Sequence, residues 1–420
     1  VIDENFDARS NMYVGVRDKY IEYISDVMPE TDYGEVYDGT NKVMLPGFVN
    51  SHSHSAMCLM RGYGENMALS DWLHKIFPFE DKLSDEAVYW ATLLAMAESV
   101  RFGIVSSTDM YYFCDQVAEA VIEAGAKANI SRAISHFSDE DLWGTSRFIE
   151  AVTFYKDYNG AADGRIKTDM SIHAEYTTTP VAVAQLAEYT KEIGANMHVH
   201  LSETKSEHEE CKQRHNGMTP AQYFNSLGIF ETSCVAAHCV WIEGEDYDIL
   251  KDKGVTAAVN PVSNLKLASG ICNADKLLRK GINVAIGTDS VASNNSLNFI
   301  EEMKFFALAT KGITGNPAVI SPKEVLRAAT LAGAKAQGRA DTGLKEGFKA
   351  DIVVVDTDKP YMYPVHNILN NIVYSASGND VVLTMCDGKI LYRDGEYMTI
   401  DIEKTVFEAQ RCTKNILSSL

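Results

Sequence analysis

The sequence predicts an α/β fold: a (β/α)8 TIM barrel that carries a small β-sandwich domain built from both chain ends. Three observations predict it. Short apolar segments alternate with longer amphipathic ones eight times over roughly 300 residues, as a closed barrel of strand–helix units requires. Both ends of the chain instead show short alternating runs, the pattern of strands with one wet face. At 420 residues the chain suits one large barrel with a modest accessory unit. A doubly wound open sheet is the alternative. Eight units, and no G-x-G-x-x-G after the first strand, favour the barrel.

Up to about Met44, Met12–Val16 and Tyr20–Ile24 read as short strands. The barrel strands are expected at Gly47–His52, Ile104–Met110, Ala128–Ile134, Asp169–His173, Asn196–Leu201, Cys234–His238, Val255–Asn260 and Asn283–Thr288. Amphipathic stretches between them include Asp85–Arg101, Val181–Ile193 and Ala274–Lys280. After Gly343 the strand pattern returns at Ala350–Val355, Val382–Cys386 and Lys389–Arg393, with Asp387-Gly388 as a hairpin turn. Ile402–Leu417 has helical spacing. Residues 1–46 and 344–420 are therefore expected to form the small domain with its C-terminal helix, and 47–343 the barrel.

Composition narrows the function. Hydrophobic residues make up 46% of the chain, ample for a large core. The net charge of −20 disfavours nucleic acid and anionic membrane surfaces as partners. No apolar run approaches the roughly 18 residues of a membrane span, and the acidic start Val1–Asn5 has no signal-peptide pattern. Because the chain opens on Val1 rather than Met, a few residues are expected to precede it. The 8 cysteines are scattered, with no C-x-x-C pair, so a thiolate zinc site is not expected. They read as reduced, mostly buried thiols of a cytoplasmic protein.

The chemistry lies at predicted strand ends. His52 and His54 form an H-x-H pair closing the first barrel strand, and residues i and i+2 of a strand point the same way. His200 ends the fifth strand, His238 the sixth, and Asp289 follows the eighth. Singly, each could be a packed or capping residue. Five at the C-terminal mouth of one barrel offer nitrogen ligands, an oxygen ligand and a spare imidazole. That set suits one divalent metal, zinc before ferrous iron. Glu203, three residues past His200, could pass a proton between water and substrate; without the histidines a glutamate opening a helix would be the plainer reading.

Pro46–His54, His200-Leu201-Ser202-Glu203, Ala237-His238-Cys239, Asn264–Leu267 and Gly287-Thr288-Asp289 together resemble the amidohydrolase superfamily, and more narrowly the 5′-methylthioadenosine/S-adenosylhomocysteine deaminases. The resemblance spans nearly the whole chain. It implies a metal held by His52, His54, His200 and Asp289, with Glu203, His238 and Asp289 catalytic. Glu203 would carry a proton to the purine ring, and His238 would orient the nucleophile. No lysine stands at the fourth strand end, where His173 lies instead, and this favours one ion.

The resemblance further implies a substrate site. Glu80 would hold the ribose hydroxyls and Trp72 would form an apolar wall. Arg132 and Arg147 would meet a homocysteine carboxylate, and His173 the nucleoside. It also implies a homo-oligomer, a dimer or tetramer. His136 reads as lining the mouth, and His198 as a packed histidine behind the metal ligands. Two departures stand out. Where relatives carry a His-Ser-Pro-Tyr type run, this chain has His173-Ala174-Glu175-Tyr176, placing an extra acid near the mouth. The loop after His136 is acidic at Asp139, Glu140 and Asp141, and is expected to pair with Arg132 and Arg147. Deamination of guanine, an oxidised purine, a pterin or a triazine is the rival enzyme reading, which Glu80 disfavours. An inactive barrel scaffold would have lost ligands that this chain keeps.

Overall fold

The computed structural model describes residues 1–67, 69–138 and 140–420. Eight parallel strands run in chain order around one sheet: β4 (Phe48–Ser53), β5 (Ile104–Tyr111), β6 (Lys127–Ile134), β7 (Ile166–Ile172), β8 (Met197–Leu201), β9 (Cys234–His238), β10 (Thr256–Val259) and β11 (Asn283–Ile286). They are preceded by β1 (Tyr13–Arg17), β2 (Tyr20–Ser25) and β3 (Lys42–Pro46). The sheet closes where Ser53 bridges Asp289 in parallel register and the Asp289 N–H donates to the His52 carbonyl at 3.0 Å. Ser-, Thr- and Asn-capped helices connect the strands. Ser84 accepts from the Ala87 N–H to start Asp85–Arg101, and Thr179 with Pro180 starts Pro180–Ile193.

The barrel strands are buried along nearly their whole length, as covering helices require of a parallel sheet. In β8 the alternation is plain. Met197, Val199 and Leu201 join the apolar core, while His198 and His200 meet His52 and His54 inside the barrel.

The chain ends form the second unit. β12 (Ile352–Asp356), β13 (Val381–Cys386), β14 (Lys389–Arg393) and β15 (Glu396–Tyr397) make an antiparallel sheet, and β3 pairs on the far side of β12 with Leu45 opposite Val353. The β1–β2 hairpin covers it, so Ile21 shares an apolar cluster with Ile352, Val354 and Leu383. The expected sandwich is thus a five-stranded layer under a two-stranded one. The C-terminal helix Ile402–Ser418 packs against Asp85–Arg101 of the barrel. Beneath the barrel, the buried Lys127 ammonium is paired with Asp351 and Asp387 of the small unit.

All eight cysteines are free and buried, as expected. No helix among the described residues is long and apolar enough to cross a membrane.

Candidate active site

Three histidine rings and one carboxylate converge at the C-terminal mouth of the barrel. Asp289 Oδ1 lies 3.4 Å from His52 Nε2 and 3.3 Å from His54 Nε2, and His200 Nε2 is 3.4 Å from His54 Nε2. The far nitrogens are occupied. His54 Nδ1 faces the Met110 carbonyl at 2.5 Å, His200 Nδ1 the His173 carbonyl at 2.6 Å, and His52 Nδ1 meets His198 Nε2 at 2.9 Å. The Nε2 lone pairs are thereby turned toward one another, the orientation metal-ligating imidazoles need. Among the described residues His52 Nε2 is buried without a hydrogen-bond partner, which fits a ligand atom.

Electrostatics agree with the geometry. Burial pulls His52 down to about 3 and His200 well below the usual imidazole range, so both rings are neutral. Burial also opposes charge on Asp289, but the His52 and His54 rings packed against it prevail and hold its carboxyl far below the carboxylate range. His54 is the converse case. Burial would keep it neutral, yet the bond to Asp289 lifts it to about 9. A divalent cation would replace that shared proton with two ligand bonds.

Glu203 and His238 flank the cluster. Glu203 Oε2 lies 3.7 Å from His238 Nε2, and Oε1 accepts from the Ser269 hydroxyl at 3.2 Å. Burial raises the Glu203 pKa. The Asn264 amide oxygen holds His238 Nδ1 at 2.8 Å. Glu203 precedes the helix Lys205–Arg214, which Thr204 caps, so it is not a residue of that helix. Its own N–H donates to the buried Glu207 at 2.7 Å.

The backbone here is strained. His238 and Asp289 have φ of +74° and +61°, a left-handed region side chains seldom occupy outside over-determined sites. Gly287 is obligatory for another reason: a Cβ there would sit 2.3 Å from Asn260 Oδ1 and 2.9 Å from the His52 backbone nitrogen.

One cleft joins this cluster to a largely apolar wall. Met57, Leu69, Trp72, Leu73, Ile76 and Phe77 line one part of it, and Tyr111, Tyr112, Tyr176 and His173 another. Glu80, at the end of the helix Leu69–Glu80, lines it too and accepts from the Tyr111 hydroxyl at 2.6 Å. Burial raises the pKa of Glu80. His173 is drawn down to about 4 by burial and stays neutral.

Of the residues singled out in the sequence, His54, His200, Glu203, His238, Asp289, Trp72, Glu80 and His173 all line this cleft, with His52 buried directly behind. Arg132 and Arg147 do not line it. Arg132 pairs with Glu150 at 2.6 Å and stacks over Tyr112, while Arg147 is exposed and donates to the Ser135 carbonyl. The acidic loop does not supply their partners among the described residues. Glu140 gives its carbonyl to His136, Asp141 accepts from Gln185, and Asp139 lies outside the described residues. His136 sits beside that loop, outside the cleft. Glu175 is a clearer correction: it is buried and turned away from the mouth, held by Arg214 and His215. The adjoining Tyr176 faces the cleft in its place.

Sequence reasoning missed Tyr111 and Tyr112, although they stand at the C-terminal end of β5, where the strand-end rule applies. It also missed Ser263 and Ser293, whose hydroxyls bond Asp289 Oδ2 at 2.6 and 2.9 Å. Both serines stand on the short helices Pro261–Lys266 and Val291–Asn294, past the strand ends to which the strand-end rule applies.

Comparison with known proteins agrees with this geometry. The model of the amidohydrolase family matches residues 43–391. A 5-methylthioadenosine/S-adenosylhomocysteine deaminase of Thermoanaerobacter pseudethanolicus is 39% identical over 97% of this chain and 95% of its own length. A 5′-deoxyadenosine deaminase of Methanosarcina mazei is 41% identical over 91% of this chain and 88% of its own. An adenosine deaminase from Xanthomonas campestris, solved with bound zinc, superposes with a TM-score of 0.89 at 28% identity, covering 97% and 94% of the two chains. With a closed barrel, a cluster of three histidines and an aspartate fit for a divalent metal, and a family match across most of its length, the chain belongs to the amidohydrolase family and is a hydrolase.

Proposed function

We propose that this protein is a zinc-dependent deaminase of 5′-modified adenosines, which releases ammonia and leaves the inosine analogue. The observation that carries the reading is one cleft with the His52–His54–His200–Asp289 cluster and Glu203 at its base and the buried carboxylate of Glu80 on its wall. The relatives' names, methylthioadenosine/S-adenosylhomocysteine deaminase and 5′-deoxyadenosine deaminase, support the same class of substrate.

In this reading His52, His54, His200 and Asp289 hold the ion, and three histidines with one carboxylate favour zinc over iron. When bound, the ion supplies Lewis acidity that makes water a nucleophile near neutral pH. Glu203 takes a proton from water and delivers it to the purine ring nitrogen. Its raised pKa suits both halves of that task. His238, held by Asn264, orients the incoming oxygen and stabilises the tetrahedral centre. Asp289 accepts the second proton of the attacking water and passes it to the departing amine as the C–N bond breaks. Glu80 accepts two hydrogen bonds from the ribose hydroxyls, and Trp72 packs against the ring system. His173, neutral, contacts the nucleoside. Arg147, exposed and near the cleft residue Tyr112, meets a carboxylate-bearing 5′ substituent, whereas Arg132, committed to Glu150, supports Tyr112.

The test is ammonia release from methylthioadenosine, S-adenosylhomocysteine, 5′-deoxyadenosine, adenosine, guanine and a pterin, with metal content measured on the same sample. Turnover of the 5′-modified adenosines at about one zinc per chain is expected. Turnover of a free base alone would overturn the substrate reading while keeping the metal chemistry.

A further inference from the structure

We propose that His198 is a positioning residue for the metal centre: it accepts a hydrogen bond from His52 Nδ1 and thereby fixes the tautomer in which His52 Nε2 can ligate. The inference rests on the reading of His52 as a ligand.

The three ring ligands are not held alike. His54 Nδ1 and His200 Nδ1 each face a backbone carbonyl, which can only accept. For those rings a proton must lie on Nδ1, which leaves Nε2 as the atom that can ligate. His52 has no carbonyl in that place. Its Nδ1 meets the Nε2 of His198 at 2.9 Å, with the two rings perpendicular at 89°. Both side chains are wholly buried.

An imidazole can accept or donate, so this contact has two polarities. If His198 donated, the His52 proton would move to Nε2 and point at Asp289 Oδ1, 3.4 Å away, closing that nitrogen to a metal. If His52 donates, its Nε2 lone pair faces the cluster and the His198 proton lies on Nδ1. Among the described residues His198 Nδ1 has no hydrogen-bond partner, so none of them competes with His52 in setting the His198 ring. The tautomer of His52 is therefore the only one among the three ring ligands entrusted to a side chain. His198 reaches it because residues 198 and 200 share one face of β8, placing His198 one layer deeper than the ligand His200.

The test uses the full chain and two variants. His198→Leu fills the space without an acceptor, and His198→Gln restores a carbonyl oxygen. Zinc affinity is measured by competition with a chromophoric chelator, and the cobalt-substituted proteins by visible absorption. The leucine variant should bind zinc about 10- to 100-fold more weakly and shift the cobalt bands. The glutamine variant should recover most of the affinity. Should the leucine variant fail to fold by circular dichroism, His198→Ala supplies the same comparison without added bulk. Wild-type affinity and spectrum in a folded variant lacking the acceptor would overturn the proposal. His52→Ala separates the two failures, because undiminished zinc binding there would overturn the ligand reading itself.

Discussion

At the scale of single residues, the site divides into groups that hold and groups that move protons. Glu203 is expected to belong to the second class. Glu203→Gln should retain zinc yet lower kcat by about 10²- to 10⁴-fold, the usual worth of a positioned acid–base group. A near-normal rate, measured with metal content, would remove Glu203 from that role. Glu80→Gln should instead act through the ribose. It should lower kcat/KM for adenosine derivatives by roughly 10- to 100-fold, since hydrogen bonds to a charged acceptor are worth about 1.5–3 kcal/mol. Equal losses on a nucleoside and a free base would contradict the diol role. Arg147→Ala should weaken S-adenosylhomocysteine about fivefold relative to methylthioadenosine, the scale of an exposed ion pair. Equal effects on both would exclude a carboxylate contact. The ligand histidines were legible because strand alternation and the strand-end rule fix where they point. The partners of Arg132 were not. Glu150 lies on the helix that follows β6, and sequence spacing does not say which face of that helix returns to the strand.

At the scale of elements, the segment after β7 shows how a buried acid can serve the cleft without entering it. Glu175 ties the loop bearing Tyr176 to the helix Lys205–Arg214, which follows Glu203 directly. The two ends of that pair differ in cost. Arg214 is 37% exposed as a side chain and Glu175 is 1% exposed. Removing Glu175 leaves a cation that water can solvate, costing about 1–3 kcal/mol. Removing Arg214 strands a buried carboxylate with His215 alone and should cost more, toward 3–5 kcal/mol. Urea unfolding of Glu175→Ala and Arg214→Ala measures the order, and the reverse order would refute the argument. The barrel strands themselves were readable to within a few residues. Their apolar runs are bounded by turn residues, whereas the orientation of Glu175 depends on a helix from the next unit of the barrel.

At the scale of the whole molecule, the chain ends serve as a floor for the barrel. We place the division at residues 1–46 with 344–420 against 47–343, a boundary consistent with β3 leaving one sheet just before β4 enters the other. What joins the units is ionic as well as apolar. Lys127, the first residue of β6, is buried between Asp351 and Asp387. Lys127→Ala would leave buried Asp351 without its cation and Asp387 with Lys349 alone, 3.7 Å away, and should destabilise the protein by about 3–5 kcal/mol, while kcat of the folded fraction stays unchanged. A lowered kcat in fully folded protein would mean that the floor communicates with the mouth.

The seam of the barrel carries a further meaning. The strand pair that closes the cylinder is joined by the amide of one proposed ligand, Asp289, and the carbonyl of another, His52. Whatever holds those two side chains together also holds the cylinder shut. Ion capture and ring closure are then linked equilibria, and each thousandfold excess of zinc over its dissociation constant adds about 4 kcal/mol against opening. Chelation should speed amide hydrogen exchange at Asp289 far more than on β6 or β7, and the molecule would come apart at the place where it works.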